Sequence, residues 1–203
     1  MKNTAESYSI CISCDAARLR EHPFQEGLKM FRPPQRQHEA LLRLLEEEKG
    51  LVSAAFAEGW TVAYAAFQLP DPFECWSKDP SGKIWELGAV EVSPQWRGRG
   101  LAVQLLKGSF ETGFFEDKVV VAQLLSWHYD TKGTGLSPFA YRDMLIKLYG
   151  KFGFREWRTE EADIAGYVEN ALVARMGSRA SEVTIECFHK LRRSGRAPWD
   201  FKF

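Results

Sequence analysis

Glu86-Leu-Gly-Ala-Val-Glu-Val-Ser-Pro-Gln-Trp-Arg-Gly-Arg-Gly-Leu-Ala102 is apolar and β-compatible up to Ser93-Pro94, then crosses two closely spaced glycines into a run with helical spacing. It reads as a strand, a short turn and a helix. Gly98 and Gly100 let the backbone approach a ligand closely, and the first N–H groups of the following helix have no acceptor within it. Such a turn suits a diphosphate, and Arg97 and Arg99 add positive charge. Rossmann and P-loop proteins use the same device, but no Gly-Lys-Ser/Thr follows this turn and no GxGxxG lies near the first strand.

Outward from this stretch the elements alternate irregularly. Tyr8–Cys14 reads as a first strand and Asp15–Arg32 as irregular chain, ended by Pro33-Pro34. A helix from Gln37 carries Ala40, Leu41, Leu44 and Leu45 on one side and stops at Lys49-Gly50. Leu51–Ala57 and Thr61–Leu69 form a hairpin about Glu58-Gly59-Trp60, and a breaker-rich loop from Pro70 to Gly82 leads into the strand Ile84–Val92. Leu101–Phe115 is helical and Val119–Leu125 a buried strand, continued by Ser126–Asp130 and a loop Lys132-Gly133-Thr134-Gly135. Ser137-Pro138 opens a helix with Tyr141, Met144, Leu145 and Leu148 on one side, closed by Gly153. Phe154–Arg158 and Ala171–Met176 are further strands, and Ser181 caps a last helix reaching Arg193. The strands are too contiguous for a doubly wound fold, so the class is α+β with central antiparallel strands.

The 203 residues suit a single domain, 1–203, with its core at about 8–177 and a C-terminal helix and tail at 178–203. Lys plus Arg and Asp plus Glu number 27 each, leaving no overall field to gather nucleic acid or an anionic membrane. No apolar run approaches the roughly 20 residues of a membrane span, and the polar start lacks a signal-peptide region, which implies a cytoplasmic protein. Cys11, Cys14, Cys75 and Cys187 make no disulfide framework. Cys11-x-x-Cys14 has no second pair to complete a zinc site, so no metal is expected, and Cys11 alternates with Ile10 and Ile12 as on a half-buried strand.

The turn resembles the pyrophosphate loop of the Gcn5-related N-acetyltransferase (GNAT) superfamily, Arg/Gln-x-x-Gly-x-Gly/Ala, through Arg97, Gly100 and Ala102. Leu148-Tyr149-Gly150-Lys151-Phe152-Gly153-Phe154 resembles its later Leu-Tyr-x-x-x-Gly-Phe segment. The segments Phe31–Leu41, Glu86–Val92, Trp127–Leu136 and Asn170–Gly177 are similar to the bacterial acetoin-utilisation acetyltransferases. The resemblance implies a GNAT fold, a mixed and mostly antiparallel sheet flanked by helices. It also implies transfer of acetyl from acetyl-CoA to a lysine of acetyl-CoA synthetase, which is thereby switched off. A small-molecule amine acetyltransferase is the alternative, with its pocket closed by the 70–82 loop and Asp71, Glu74 and Asp79. A silent binder of the synthetase is a third.

By that resemblance, Val90, Glu91 and Val92 would meet the pantetheine arm. Arg97, Gly98, Arg99, Gly100, Leu101, Ala102 and Val103 would hold the diphosphate. Acyl transfer needs a neutral amine, a thioester carbonyl held by backbone donors and an acid for the departing thiolate. Glu86, eleven residues before Arg97, stands where the histone-acetylating branch carries its base, with His128 and Asp130 as the other candidates. It shares a strand face with Gly88, Val90 and Val92, whereas Glu91 points to the other face, where its side chain reads as a satisfied structural carboxylate. Tyr149 takes the place of the acid, with core packing as the alternative. His128 either shuttles a proton or hydrogen-bonds Asp130. Lys132–Gly135 either touches the cofactor's 3′-phosphate or the partner, or is a plain turn. His22, His38 and His189 read as satisfied or surface histidines. Arg192, Arg193 and Arg196, followed by Trp199, Phe201 and Phe203, are a candidate docking tail.

Overall fold

The structure, a computed structural model, describes residues 7–194. The tail residues Arg196, Trp199, Phe201 and Phe203 lie outside the described residues. Among the described residues seven strands form one sheet: β1 (Ser9–Cys14), β2 (Gly50–Ala57), β3 (Trp60–Gln68), β4 (Ile84–Val92), β5 (Val119–Leu124), β6 (Arg155–Trp157) and β7 (Ala171–Met176). Their order is β1-β2-β3-β4-β5-β7-β6. Pairs β1–β2, β2–β3, β5–β7 and β6–β7 are antiparallel and β4–β5 is parallel, so the sheet is mixed and the fold α+β. The helices are α1 (Ala16–Arg20), α2 (Pro34–Glu46), α3 (Leu101–Glu111), α4 (Thr131–Thr134), α5 (Pro138–Gly150), α6 (Ala162–Ala165) and α7 (Glu182–Leu191). Among the described residues no helix is long and apolar enough to cross a membrane. Two compact units divide the chain: residues up to Gln68 with Ala89–Glu111, and Leu69–Gly88 with residues from Thr112 onward.

In the first unit the β2–β3 hairpin is nearly all buried because both strands are apolar on both faces. Its turn is the two residues Glu58-Gly59, both with positive φ, so Trp60 belongs to β3 instead. Val52, Ala54, Phe56, Tyr64 and Ala66 share a core with Leu41 of α2. The alternate residue Ser53 meets Ser109 of α3 at 2.8 Å, so α2 and α3 cover opposite faces. Helix α2 starts three residues earlier than its apolar period indicates. Pro33 and Pro34 begin it rather than block it, since a first-turn proline loses no intrahelical bond. The left-handed residue at its end is Glu48, not Gly50. Gly50 starts β2, where a Cβ would sit 2.5 Å from the Phe67 carbonyl. The stretch after Cys14 contains α1, capped by the Asp15 carboxylate on the Arg18 N–H; five residues are too few to show a period. Strand β1 bulges between Cys11 and Cys14, and Cys14 turns into the core, where burial pushes its thiol pKa up.

In the second unit Trp76, Ile84, Val119, Val121, Leu172 and Phe188 make the core. The 70–82 segment is anchored to it: Trp76 is 1% exposed and stacks on Phe188 of α7. Burial opposes ionisation of the Asp79 carboxylate, but the Ser81 hydroxyl and the N–H groups of Ser81, Ile84 and Lys83 donate to it and hold it below the usual carboxylate range. Helix α5, capped by Ser137, buries only Tyr149 and leaves Met144 39% exposed. Its apolar side is therefore not the core stripe that its spacing suggests, and it ends at Gly150, before the left-handed Gly153. Ser181 caps α7 by accepting from the Thr184 N–H at 3.2 Å.

Candidate active site

The first unit presents the glycine turn as the sequence implies. Ser93 hangs it on β3 through its N–H to the Val62 carbonyl, and Trp96, 1% exposed, anchors a 3₁₀ turn at Pro94–Trp96. Gly98 and Gly100 have φ of 79° and 75°, a left-handed conformation that side-chain-bearing residues adopt only under strain. Nothing stands within 4 Å of where a Cβ on Gly98 would be, so the backbone there is open to approach. The Gln104 N–H bonds the Gly100 carbonyl, which leaves the N–H groups of Leu101, Ala102 and Val103 ahead of the first helical bond. Arg97 donates from Nε to the Val92 carbonyl, and the Arg99 guanidinium lies 4.3 Å over the Trp96 ring. Backbone donors, a helix start and two arginines fit a diphosphate group.

Strand β4 carries two buried carboxylates five residues apart. Glu91 accepts from the Met30 N–H at 2.8 Å and the Tyr64 hydroxyl at 3.0 Å. Burial raises its pKa, and those same hydrogen bonds restrain the rise. Its carboxylate is therefore a satisfied internal group, and only its backbone remains to meet a ligand. Glu86, 6% exposed, sits opposite Val121 of β5. Gly88, Val90 and Val92 are all more open than Ala89 and Glu91, which marks the face that Glu86 shares as the accessible one.

In the second unit His128 is half-buried in a 3₁₀ turn, Ser126–His128, directly after β5. Asp130 caps α4 by accepting from the Gly133 N–H at 2.8 Å. The segment expected to be a loop is thus a single helical turn, and a Cβ at Gly133 would lie 2.2 Å from the Asp130 carboxylate. Tyr149 is 6% exposed beside Phe154, with ring centroids 5.6 Å apart. Burial, with Tyr141 and Tyr129 nearby, pushes its hydroxyl pKa far above the usual range, so it stays protonated. Tyr129 and Tyr141 stack at 4.9 Å, and the Tyr129 hydroxyl donates to the Glu169 carbonyl. Helical spacing places Tyr141 beside Met144, Leu145 and Leu148 and gives no sign of its stack with Tyr129. His38 and His22 bond the carbonyls of Leu19 and Arg18, and His189 accepts from Arg192, so each ring has a hydrogen-bond partner within the fold.

The chain matches the acetyltransferase (GNAT) family over residues 15–129, a span that includes β4, the glycine turn and His128. It is 34% identical over 179 residues to the acetoin utilization protein AcuA of Bacillus licheniformis, covering 88% of this chain and 85% of that protein. It is 34% identical over 174 residues to AcuA of Bacillus subtilis, covering 86% and 83%. The solved structure of an acetoin utilization protein from Exiguobacterium sibiricum superposes with a TM-score of 0.86 at 28% identity, covering 95% of this chain and 97% of that one. The ribosomal-protein-S18-alanine N-acetyltransferase of Escherichia coli shares the fold, at a TM-score of 0.54 and 16% identity over 87% of this chain and 97% of its own. The chain belongs to the acetyltransferase (GNAT) family and is an acetyl-CoA-dependent N-acetyltransferase.

Proposed function

We propose that this enzyme acetylates a lysine of acetyl-CoA synthetase in the cytoplasm and thereby switches it off, with residues 1–203 acting as one N-acetyltransferase domain. The observation that carries the reading is the 34% identity to acetoin utilization proteins across nearly the whole chain, well beyond the cofactor turn. In this reading the backbone of Val90, Glu91 and Val92 pairs with the pantetheine arm. Arg97, Gly98, Arg99, Gly100, Leu101, Ala102 and Val103 hold the diphosphate. Glu86 takes a proton from the incoming ammonium, directly or through water, since a free lysine is almost wholly protonated at neutral pH. The amine attacks the thioester carbonyl, an N–C bond forms, and collapse of the tetrahedral intermediate breaks the C–S bond. Tyr149 protonates the departing thiolate, and His128 assists proton movement.

Asp79 is occupied with its own turn, which argues against the 70–82 segment as an acidic lid over a small amine. The test is intact-mass spectrometry of purified acetyl-CoA synthetase after incubation with the enzyme and acetyl-CoA, with synthetase activity read in parallel. A single added acetyl group with loss of activity is the expected result. No mass change, with thiol release on small amines instead, would establish the alternative, and inhibition without acetylation would establish a silent binder.

A further inference from the structure

The irregular stretch between α1 and α2 is pinned at both ends within the first unit. Thr61 of β3 donates its N–H to the Pro23 carbonyl at 2.8 Å and its hydroxyl to the His22 carbonyl at 2.6 Å, and its own carbonyl accepts from the Gln25 N–H at 3.1 Å. Phe24 and Leu28 fill the core beside Tyr64. At the far end the Met30 N–H donates to one oxygen of the Glu91 carboxylate, and the Tyr64 hydroxyl donates to the other. Between these anchors Gly27 lies against the residues that lead into the glycine turn. A Cβ there would stand 2.3 Å from the Ser93 hydroxyl oxygen and 2.8 Å from Cδ of Pro94. Only a residue without a side chain fits so close an approach. Ser93 and Trp96 are each 1% exposed, so this short stretch has little room to give way, and a push at Ser93 and Pro94 passes on toward Arg97.

We propose that Gly27 and the Glu91 side chain are positioning residues for acetyl-CoA: the Pro23–Met30 segment is a buttress that fixes where the glycine turn meets the diphosphate, an inference that rests on the reading that residues 97–103 hold that group. A site made of backbone N–H groups has no side chains to adjust, so its affinity depends on the path of the chain itself. A displacement of about 1 Å at such a site is enough to cost 10²-fold. Glu91 supplies the fixed point. Donors from the buttress and from β3 end on one carboxylate that is 5% exposed, and losing an acceptor there leaves a buried donor unsatisfied. Gly27 supplies the contact, since it alone carries the position of the buttress to Ser93 and Pro94 without a side chain between.

The experiment is calorimetric titration with acetyl-CoA, beside thermal unfolding, on wild type, Gly27→Ala, Ser93→Ala, their double variant, Glu91→Gln and Gly100→Ala. Leu41→Val, which loosens the same core away from the turn, is the stability control. Gly27→Ala is expected to raise the acetyl-CoA dissociation constant about tenfold. Ser93→Ala alone leaves it near wild type, and added to Gly27→Ala it removes the 2.3 Å overlap and recovers part of the loss. Glu91→Gln keeps the shape but gives up one acceptor and weakens binding about threefold. Removing a negative charge that acts on Arg97 would by charge alone tighten binding of an anion, so weakening marks a loss of position. Leu41→Val lowers the melting temperature and leaves the affinity at the wild-type value. Wild-type affinity in Gly27→Ala, no recovery on adding Ser93→Ala, tighter binding by Glu91→Gln, or equal weakening by Leu41→Val each overturns the proposal, while weaker binding by Gly100→Ala keeps the reading of the turn intact. Wild-type affinity in Gly100→Ala overturns that reading, and this inference with it.

Discussion

The glycine turn at 93–102 and the aromatic segment at 126–170 are built on opposite principles. The turn offers backbone: N–H groups at a helix start, two left-handed glycines and open space where side chains would be. The second region offers side chains: the Tyr129–Tyr141 stack with Tyr149 nearby, the Trp127–Tyr167 corner, and Asn170 stapling two segments. A backbone site suits a group common to every reaction of the family, since a diphosphate needs only donors and charge. A side-chain site suits what differs between enzymes, because each substitution there changes shape and chemistry together.

If the chemistry depends on carboxylate and hydroxyl rather than on the turn, Glu86→Gln lowers kcat about 10²- to 10⁴-fold and Tyr149→Phe about 10²-fold, with acetyl-CoA affinity unchanged. Stopped-time acetylation assays beside calorimetric titration with acetyl-CoA check both, and unaltered rates in the two variants would remove the catalytic assignment. A smaller effect tests how side chains hold the second unit together. Glu116 accepts from the Ser178 N–H and hydroxyl and pairs with Arg175, and its pKa falls to about 2, chiefly through the Ser178 bonds. A carboxylate whose folded pKa lies below its unfolded value of 4.5 stabilises the protein above that pH, and this contribution disappears as pH falls through the folded pKa. Glu116→Ala therefore costs about 2 kcal/mol at neutral pH, and the difference from wild type shrinks below about pH 4.5. Urea unfolding at pH 7 and pH 3 measures it; a difference that does not depend on pH assigns the loss to packing instead. The smallest effect belongs to the turn. Gly100→Ala strains a backbone at φ 75° by about 1 kcal/mol and raises the acetyl-CoA dissociation constant about tenfold, leaving kcat at saturation near wild type.

Much of this contrast was legible in advance, though unevenly. The turn was readable because glycine spacing after a strand is a local signal with few physical uses. The β2–β3 hairpin was readable for the same reason, whereas α1, α4 and α6, of five, four and four residues, are too short to display a helical period. Glu91 shows where spacing reaches its limit. Alternation assigned it to the face opposite Glu86, but only the fold supplied Tyr64 and the Met30 N–H as its partners. Helix α5 shows the reverse: its spacing gathers Tyr141, Met144, Leu145 and Leu148 on one side, yet the fold buries only Tyr149 and leaves Met144 exposed.

By itself the sequence determined the α+β class, the strand-turn-helix that suits a diphosphate, and a short set of residues able to move protons. Each rests on contacts between near neighbours, where backbone geometry allows few alternatives. Tertiary structure alone decided that Tyr129 and Tyr141 stack, that Asp79 is consumed by its own turn, and that Trp127 meets Tyr167 across forty residues. Those pairings depend on which segments share a core and on one buried asparagine satisfying two of them at once. A polar group removed from water must find its partners wherever the folded chain brings them, and no spacing along the sequence specifies that place.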